Sequence, residues 1–471
     1  MKIAVIGTGY VGLVSGVCFA EFGHRVTCVD KNSKIVERLS GGELTIYEPG
    51  LEPLLRRNIR EGRLDFDTNL VSAVENCDII MIAVGTPSCP DSGEADLSSV
   101  LQAADEVAVS MRPGTVIVFK STVPVGTCAM LRHRIAALRP DTDFSIASNP
   151  EFLREGSAVQ DFLRPDRVVV GLQDERGRAA MGCAYELLAG RDVPVIFTSL
   201  ENAELIKYAA NAFLAMKITF INQVADLCEK VGGDVQDVAR AIGMDKRIGE
   251  KFLQAGPGIG GSCFPKDTRA FAALGRRHGA PQKLIEGVVD INEARKRDMA
   301  QRIIDCAAAS GGAVVAILGV AYKPNTDDIR EAPALDIIPL LQRSGLKVRA
   351  HDPAAMTAGA AMLSDVKWCD SALATVEGAD VVVILTEWDD YRTLDIRRVA
   401  GLMRGNDFFD LRNVFQVNDF SDTGLTYHSV GRPDGVADES SWAINKLKRS
   451  QPPLISDSVR VGVIASGSSL M

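Results

Sequence analysis

Two doubly wound, mostly parallel α/β sheets joined by a long central helical region are the fold class this sequence predicts. Three observations carry the expectation. Residues 2–30 read as strand, glycine-rich turn, helix and strand; apolar runs of strand length then alternate with helix-length segments to about residue 199; and a second strand-helix-strand pattern begins at Ala313, after roughly a hundred residues of helical character. At 471 residues the chain is also too long for one ordinary core.

The first strand runs into Gly7-Thr8-Gly9-Tyr10-Val11-Gly12, an apolar helical pattern follows, and a second strand ends at Asp30. In that setting Gly-x-Gly-x-x-Gly reads as a Rossmann-like dinucleotide turn. The glycines permit the tight turn, the approach of a pyrophosphate to the helix N-terminus and the packing of helix on strand. Asp30 would accept hydrogen bonds from the adenosine ribose and repel a 2′-phosphate, which favours NAD over NADP, although Lys31 beside it pulls the other way.

Further strands are expected at 77–84, 115–119, 144–147, 168–171 and 193–197. Ligands of such sheets sit at the carboxyl ends of the strands. Those ends carry Gly85-Thr86-Pro87, the run Lys120 to Thr127, and Ser148-Asn149-Pro150-Glu151-Phe152, although each alone is also ordinary turn chemistry. Helices are expected from Glu201 to Val231 and from Pro281 to Ala309. Within the first, Glu204, Lys207 and Asn211 share a face, where they read either as a solvated Glu-Lys pair or as groups that stabilise an oxyanion. This region also offers an interface for a homodimer or higher homo-oligomer.

The second sheet is expected from Ala313–Gly319, Lys347–Asp352 and Asp380–Leu385. It lacks the glycine fingerprint and should not take a dinucleotide in the same way. Its charged loop Tyr322 to Arg330 follows a strand end, a position suited to ligand contact. The expected domains are 1–199, 200–305 and 306–433. Residues 434–471 read as a flexible tail, in which Val459 to Ala465 has the pattern of one added strand.

A net charge of -9 argues against nucleic acid or an anionic membrane as partner, so a phosphate-bearing ligand must be held by local cations and amides. Ten scattered cysteines without a Cys-x-x-Cys pair indicate reduced thiols, with no disulfide frame and no metal-site spacing. No apolar run reaches the ~18 residues of a membrane span. Cytoplasm is the expected compartment.

The most chemically loaded stretch is Gly260-Gly261-Ser262-Cys263-Phe264-Pro265-Lys266-Asp267. Glycines admit a substrate, the proline sets the exit, and the neighbouring lysine would favour a thiolate. Cys263 thus reads as a covalent nucleophile or, on the residues alone, as a buried cysteine in a tight turn.

In chain order, the fingerprint at 7–12, Gly-Thr-Pro at 85–87, Ser-Thr-Val-Pro-Val-Gly-Thr at 121–127, Asn-Pro-Glu-Phe-Leu-Arg-Glu-Gly at 149–156, Glu-Leu-Ile-Lys-Tyr-x-x-Asn at 204–211, the cysteine turn at 260–267 and Tyr-Lys-x-x-x-Asp-Asp-x-Arg at 322–330 together resemble the UDP-glucose/GDP-mannose dehydrogenase family. The resemblance runs from residue 1 to about 433. Arg247 to Leu253, Ala255 to Gly258 and Thr386-Glu387-Trp388 look most like the branch acting on UDP-glucose. Branches acting on GDP-mannose or N-acetylated UDP-sugars are the close alternatives. A non-catalytic NAD-binding regulator and a two-electron hydroxyacid dehydrogenase are the distant ones. Leu411 stands where glycine is commoner in the family.

The resemblance implies a four-electron oxidation of a primary alcohol to a carboxylate with two NAD and one water. It matches Cys263 to a nucleophile that passes through a thiohemiacetal and a thioester. Lys207 and Asn211 are matched to oxyanion stabilisation, and Asp267, Glu151 and Thr122 to water and proton handling, with either carboxylate open as the base. Beside the fingerprint residues Gly7, Gly9, Tyr10 and Gly12, NAD is assigned to Val11, Asp30, Thr86, Thr122, Glu155, Lys266 and Arg330. The UDP-sugar is assigned to Glu151, Phe152, Leu153, Arg154 and Glu155, to Lys207 and Asn211, to Phe252, Leu253, Gln254, Ala255 and Gly256, and to Gly260 and Lys323. No metal is implied.

Overall fold

The computed structural model describes residues 1–87, 89 and 93–433. The expected tail and its added strand lie outside the described residues. The first sheet is built from β1 (Lys2–Ile6), β2 (Arg25–Val29), β3 (Leu64–Asp67), β4 (Ile79–Ile82), β5 (Val116–Phe119), β6 (Ser145–Ser148), β7 (Val168–Leu172) and β8 (Val195–Thr198). Its order is β3-β2-β1-β4-β5-β6-β7-β8, parallel except where β6 meets β7. Its central strands β4 and β5 are buried at every position, as a sheet covered on both faces requires.

The second sheet holds β9 (Val314–Leu318), β10 (Lys347–His351), β11 (Val366–Trp368), β12 (Val381–Ile384), β13 (Asp407–Asp410) and β14 (Thr426–Ser429), in the order β11-β10-β9-β12-β13-β14, all parallel. The strands missed by apolar-run reading are β3, β11, β13 and β14, which are short, and three of them alternate apolar with polar residues or end in acids. Leu411 just past β13 is buried in this sheet's core and lies outside the left-handed backbone region, so leucine carries no strain there.

Between the sheets run two long helices, Leu200–Val231 and Lys283–Ser310. The first is capped by the Ser199 hydroxyl and closed by Gly232 at φ 80°. The helix Phe264–Arg277 packs on both, and it begins immediately after Cys263 with Pro265 in its first turn, where a missing N–H costs no helical bond. The order reverses at β1 and β4, so the fingerprint after β1 opens onto a crevice at the strand ends, with the loops after β5 and β6 along the same edge. The long helix Leu200–Val231 packs beside β6 and β7 and carries its buried stripe to that edge.

Candidate active site

Of the three fingerprint glycines, two are demanded by packing. A Cβ on Gly7, at φ 98°, would lie 2.9 Å from the Ala83 carbonyl oxygen, and one on Gly12 would lie 1.9 Å from that of Gly7. Gly9 has nothing within 4 Å of that position, which leaves open space at the helix N-terminus where a pyrophosphate binds. Asp30 accepts from the Thr8 N–H at 3.0 Å and hydroxyl at 2.6 Å, fixing its carboxylate at the end of β2. The ammonium of Lys31 is held by Glu106 at 2.8 Å and so is turned to a neighbouring helix, which removes the one feature that favoured a 2′-phosphate. Tyr10 directs its hydroxyl to Glu48, whose carboxylate also takes the N–H groups of Gly156 at 2.7 Å and Ala158 at 2.8 Å. Glu48 is a buried residue that sequence reading passed over, and it fastens the 149–156 loop to the fingerprint helix. Val11 is half-buried, and Thr86 bonds the Thr122 carbonyl at 3.0 Å, tying the ends of β4 and β5.

Glu204 does not pair with Lys207. It accepts from the N–H groups of Gly126 at 2.7 Å and Cys128 at 2.8 Å, at the start of another helix. Lys207, 3% exposed, instead meets Glu151 at 2.9 Å, and the second Glu151 oxygen takes the Leu153 N–H at 2.5 Å. Burial disfavours the Lys207 ammonium, yet Glu151, Cys263 and Asp267 hold its pKa above the ordinary lysine value. One helical turn on, Asn211 donates to Asp267 at 2.6 Å, and Lys266 meets the other Asp267 oxygen at 2.7 Å.

That pairing corrects the expectation that Lys266 turns Cys263 into a thiolate. Lys266 is spent on Asp267, and the Cys263 thiol is pushed up to about 11, by burial first and then by Glu151, with Lys207 pulling it down. The turn glycines also serve a different end. A Cβ on Gly260 would lie 2.6 Å from the Glu331 carbonyl oxygen and one on Gly261 2.7 Å from the Tyr322 ring, so they admit the loop after β9. Through Ser262, the turn bonds Glu155 at 3.1 Å, and Arg330 meets Glu155 at 3.3 Å and Asp328 at 2.8 Å. Burial and then Asp328 raise Glu155 above the usual carboxylate range, whereas Asp328, despite its burial, is held down by Arg330.

Glu151, Phe152, Leu153, Arg154, Lys207, Asn211, Phe252 and Cys263 line one cavity of about 1120 Å³, somewhat above the usual small-ligand range of about 300–1,000 Å³. Its wall carries eight Lys and Arg against four Asp and Glu, so an acidic protein presents a local excess of cations there. Lys207 and Arg167 approach the Phe152 ring at 5.4 and 3.8 Å from its centroid, while Arg154 is paired with Asp161 at 2.6 Å. Phe252 sits at φ 65°, a left-handed conformation that a bulky residue keeps only when its surroundings impose it. Lys217, which sequence reading missed, lines the same cavity three residues after Leu214 and holds that loop by the carbonyls of Ile248 at 2.9 Å and Lys251 at 2.6 Å. Asp267, Thr122, Glu155, Lys266, Gly260, Lys323 and Arg330 do not line this cavity. Nor do Leu253, Gln254, Ala255 and Gly256: Leu253 and Ala255 are packed into the second core, Gln254 is exposed, and Gly256 is pinned by Asn222 at 2.8 Å and Arg295 at 2.6 Å. Lys323 is mostly covered, 5.3 Å from the centre of the Tyr322 ring.

Family profiles match three stretches: the NAD binding domain of the UDP-glucose/GDP-mannose dehydrogenase family over residues 1–189, its central domain over 201–294 and its UDP binding domain over 316–417. A UDP-glucose 6-dehydrogenase of Rhizobium meliloti is 48% identical over 439 residues, 92% of this chain and 100% of that one. Among solved structures, a UDP-glucose dehydrogenase from Pyrobaculum islandicum superposes with TM-score 0.83 at 40% identity, covering 91% of this chain and 97% of its own. A UDP-D-ManNAc dehydrogenase from Pyrococcus horikoshii gives 0.82 at 27% identity, covering 92% and 100%. With an NAD-binding sheet, a central helical part and a UDP-binding sheet all matched in order, the chain belongs to the UDP-glucose/GDP-mannose dehydrogenase family of NAD-dependent oxidoreductases.

Proposed function

We propose that this protein oxidises the C6 alcohol of UDP-glucose to the carboxylate of UDP-glucuronate. The observation that carries the reading is the meeting of Cys263, Lys207, Asn211 and Glu151 on one cation-rich cavity wall. UDP-glucose is favoured over N-acetylated sugars because the relatives named for it are 40–48% identical, against 27% for the UDP-D-ManNAc enzyme.

When bound over the fingerprint, NAD supplies the hydride acceptor, twice in each turnover. Glu151, which faces the cavity, takes the C6 hydroxyl proton, and the Lys207 ammonium with the free Asn211 N–H stabilises the oxygen as its charge grows. The Cys263 sulfur then bonds to the aldehyde carbon while its proton passes to the aldehyde oxygen, giving a thiohemiacetal. Glu151 gives up its first proton to solvent; loss of the second hydride, with the thiohemiacetal hydroxyl proton passing to Glu151 and on to solvent, leaves a thioester. One water, deprotonated by Glu151, adds to the thioester; the C–S bond breaks and the sulfur takes that proton back from Glu151. Asp267, 1% exposed and behind Asn211, is a positioning residue that orients the amide. A thiol that is neutral at rest suits this order, since a free thiolate would invite oxidation before any aldehyde forms.

Residues 1–199, 200–305 and 306–433 serve this scheme as the NAD-binding, helical and UDP-sugar-binding parts. With NAD in excess, two NADH should form per UDP-glucose consumed, with little signal from GDP-mannose. One NADH would end the thioester scheme, and turnover of GDP-mannose alone would move the protein to the neighbouring branch.

The cytoplasm suits an enzyme with a reduced catalytic thiol. The long helix Leu200–Val231 also exposes Phe213, Phe220 and Leu227 at heptad spacing, each more than half exposed. A second copy of this chain covers that stripe in the reading adopted here. Light scattering should then give a dimer or higher oligomer for the native chain and a smaller species for Phe220→Asp; an unchanged mass in the variant would sink the idea.

A further inference from the structure

We propose that Cys306, Asp407 and His428 form a binding site for a zinc-class divalent cation on the second sheet, remote in sequence from the catalytic turn. The three residues offer thiol, carboxylate and imidazole donor atoms that all lie within 4.8 Å of one another. Cys306 comes from the last turns of the helix Lys283–Ser310, Asp407 opens β13, and His428 lies in β14. Because strand side chains alternate, Asp407 shares a face with Phe409, and the pairing register sets His428 directly opposite Phe409. Its ring stacks on Phe409 with centroids 4.4 Å apart and planes 17° from parallel, which fixes the direction of its nitrogens.

The decisive feature is that both partners converge on one nitrogen. The Asp407 carboxylate lies 3.1 Å from His428 Nε2, and the Cys306 sulfur lies 3.8 Å from the same atom. In a nucleophilic triad the acid would hold the opposite ring nitrogen and leave Nε2 to the thiol. Here the carboxylate and the sulfur both face a single nitrogen, the convergence that ligand atoms show around a shared ion. A cation at the shared point satisfies all three. A tetrahedral zinc holds its sulfur and nitrogen ligands about 3.6 Å apart and its nitrogen and oxygen ligands about 3.4 Å apart, close to the separations found. Thiolate with imidazole selects zinc-class ions over calcium or magnesium, and three protein ligands leave a fourth position for water. On binding, the Cys306 proton is released to solvent and the ion joins the long helix to β13 and β14. The spacing 306–407–428 resembles no metal-binding motif, because the fold and not the chain brings the ligands together.

The test uses the full chain carrying Cys263→Ser, so that the catalytic thiol cannot compete, stripped with chelator and titrated with cobalt(II) as a spectroscopic stand-in for zinc. One equivalent should bind with a thiolate-to-cobalt absorption band, and zinc should displace it and raise the thermal midpoint. Adding Cys306→Ser or His428→Ala should abolish the band or weaken cobalt binding at least about tenfold. Cys306→Ser in the otherwise native chain should keep full dehydrogenase activity, which separates lost ligation from lost folding. Absence of stoichiometric uptake, or uptake undiminished by both substitutions in chains that fold, would overturn the proposal.

Discussion

Replacing Cys263 with serine should lower steady-state formation of the sugar acid on the order of 10³-fold or more, while leaving the fold and NAD binding intact. The sulfur is the atom that keeps the aldehyde from leaving between the two oxidations and that departs when water attacks. A serine oxygen is far less nucleophilic and a far poorer leaving group, so the variant should stall with two NADH formed per active site and a slowly hydrolysed ester on residue 263. Because Cys263 precedes the helix Phe264–Arg277 and the hydrogen-bond contact of its side chain among the described residues is a long one, 3.7 Å to Ser262, the exchange removes little structural support. Mass spectrometry of the stalled enzyme and rapid-mixing absorbance would record both signatures. Native steady-state rates in the variant would falsify covalent catalysis at this position.

How much of this was readable in advance follows from how far apart the partners lie. The cysteine turn was legible because its eight residues concentrate glycine, thiol, ammonium and carboxylate, and the fingerprint because strand, turn and helix follow one another within twenty residues. Lys207 and Asn211 could be placed on one face by helical spacing. Their partners could not: Glu151 and Asp267 each lie 56 residues away, and only the packing of the long helix against the β6 edge and the cysteine helix decides that Lys207 takes Glu151 and not Glu204. For the same reason the effect of Lys266 on the thiol was misread, since adjacency in sequence says nothing of Asp267 capturing the ammonium. The 253–256 segment was assigned to the UDP-sugar by resemblance alone; within the chain its apolar positions Leu253 and Ala255 fill the second core, with Asn222 and Arg295 holding the backbone of Gly256. The edge strands β3, β11 and β14 escaped because a strand covered on fewer sides needs fewer apolar residues, and the interior β13 because acids open and close it.

Substituting Lys207 with alanine should reduce kcat by about 10²–10³-fold with NAD affinity nearly unchanged. Two effects act together in this variant. The ammonium that meets developing negative charge on the substrate oxygen is lost, and Glu151 is left as a buried carboxylate whose remaining bond is to the Leu153 N–H. Removing one member of a buried pair strands the other, so the variant should also lose thermal stability. Lys207→Ala with Glu151→Gln removes the stranded charge as well. It should restore thermal stability without restoring rate, because stability depends on matching the buried charges while rate depends on having the ammonium. Lys207→Arg should keep the pairing but misplace the charge in a space shaped for a compact ammonium, recovering stability and only part of kcat. Differential scanning calorimetry beside kcat and NAD titrations separates the two effects. If Lys207→Ala weakened NAD binding and left the chemical step untouched, this helix face would serve the cofactor, and the oxyanion role would have to pass to Asn211 alone.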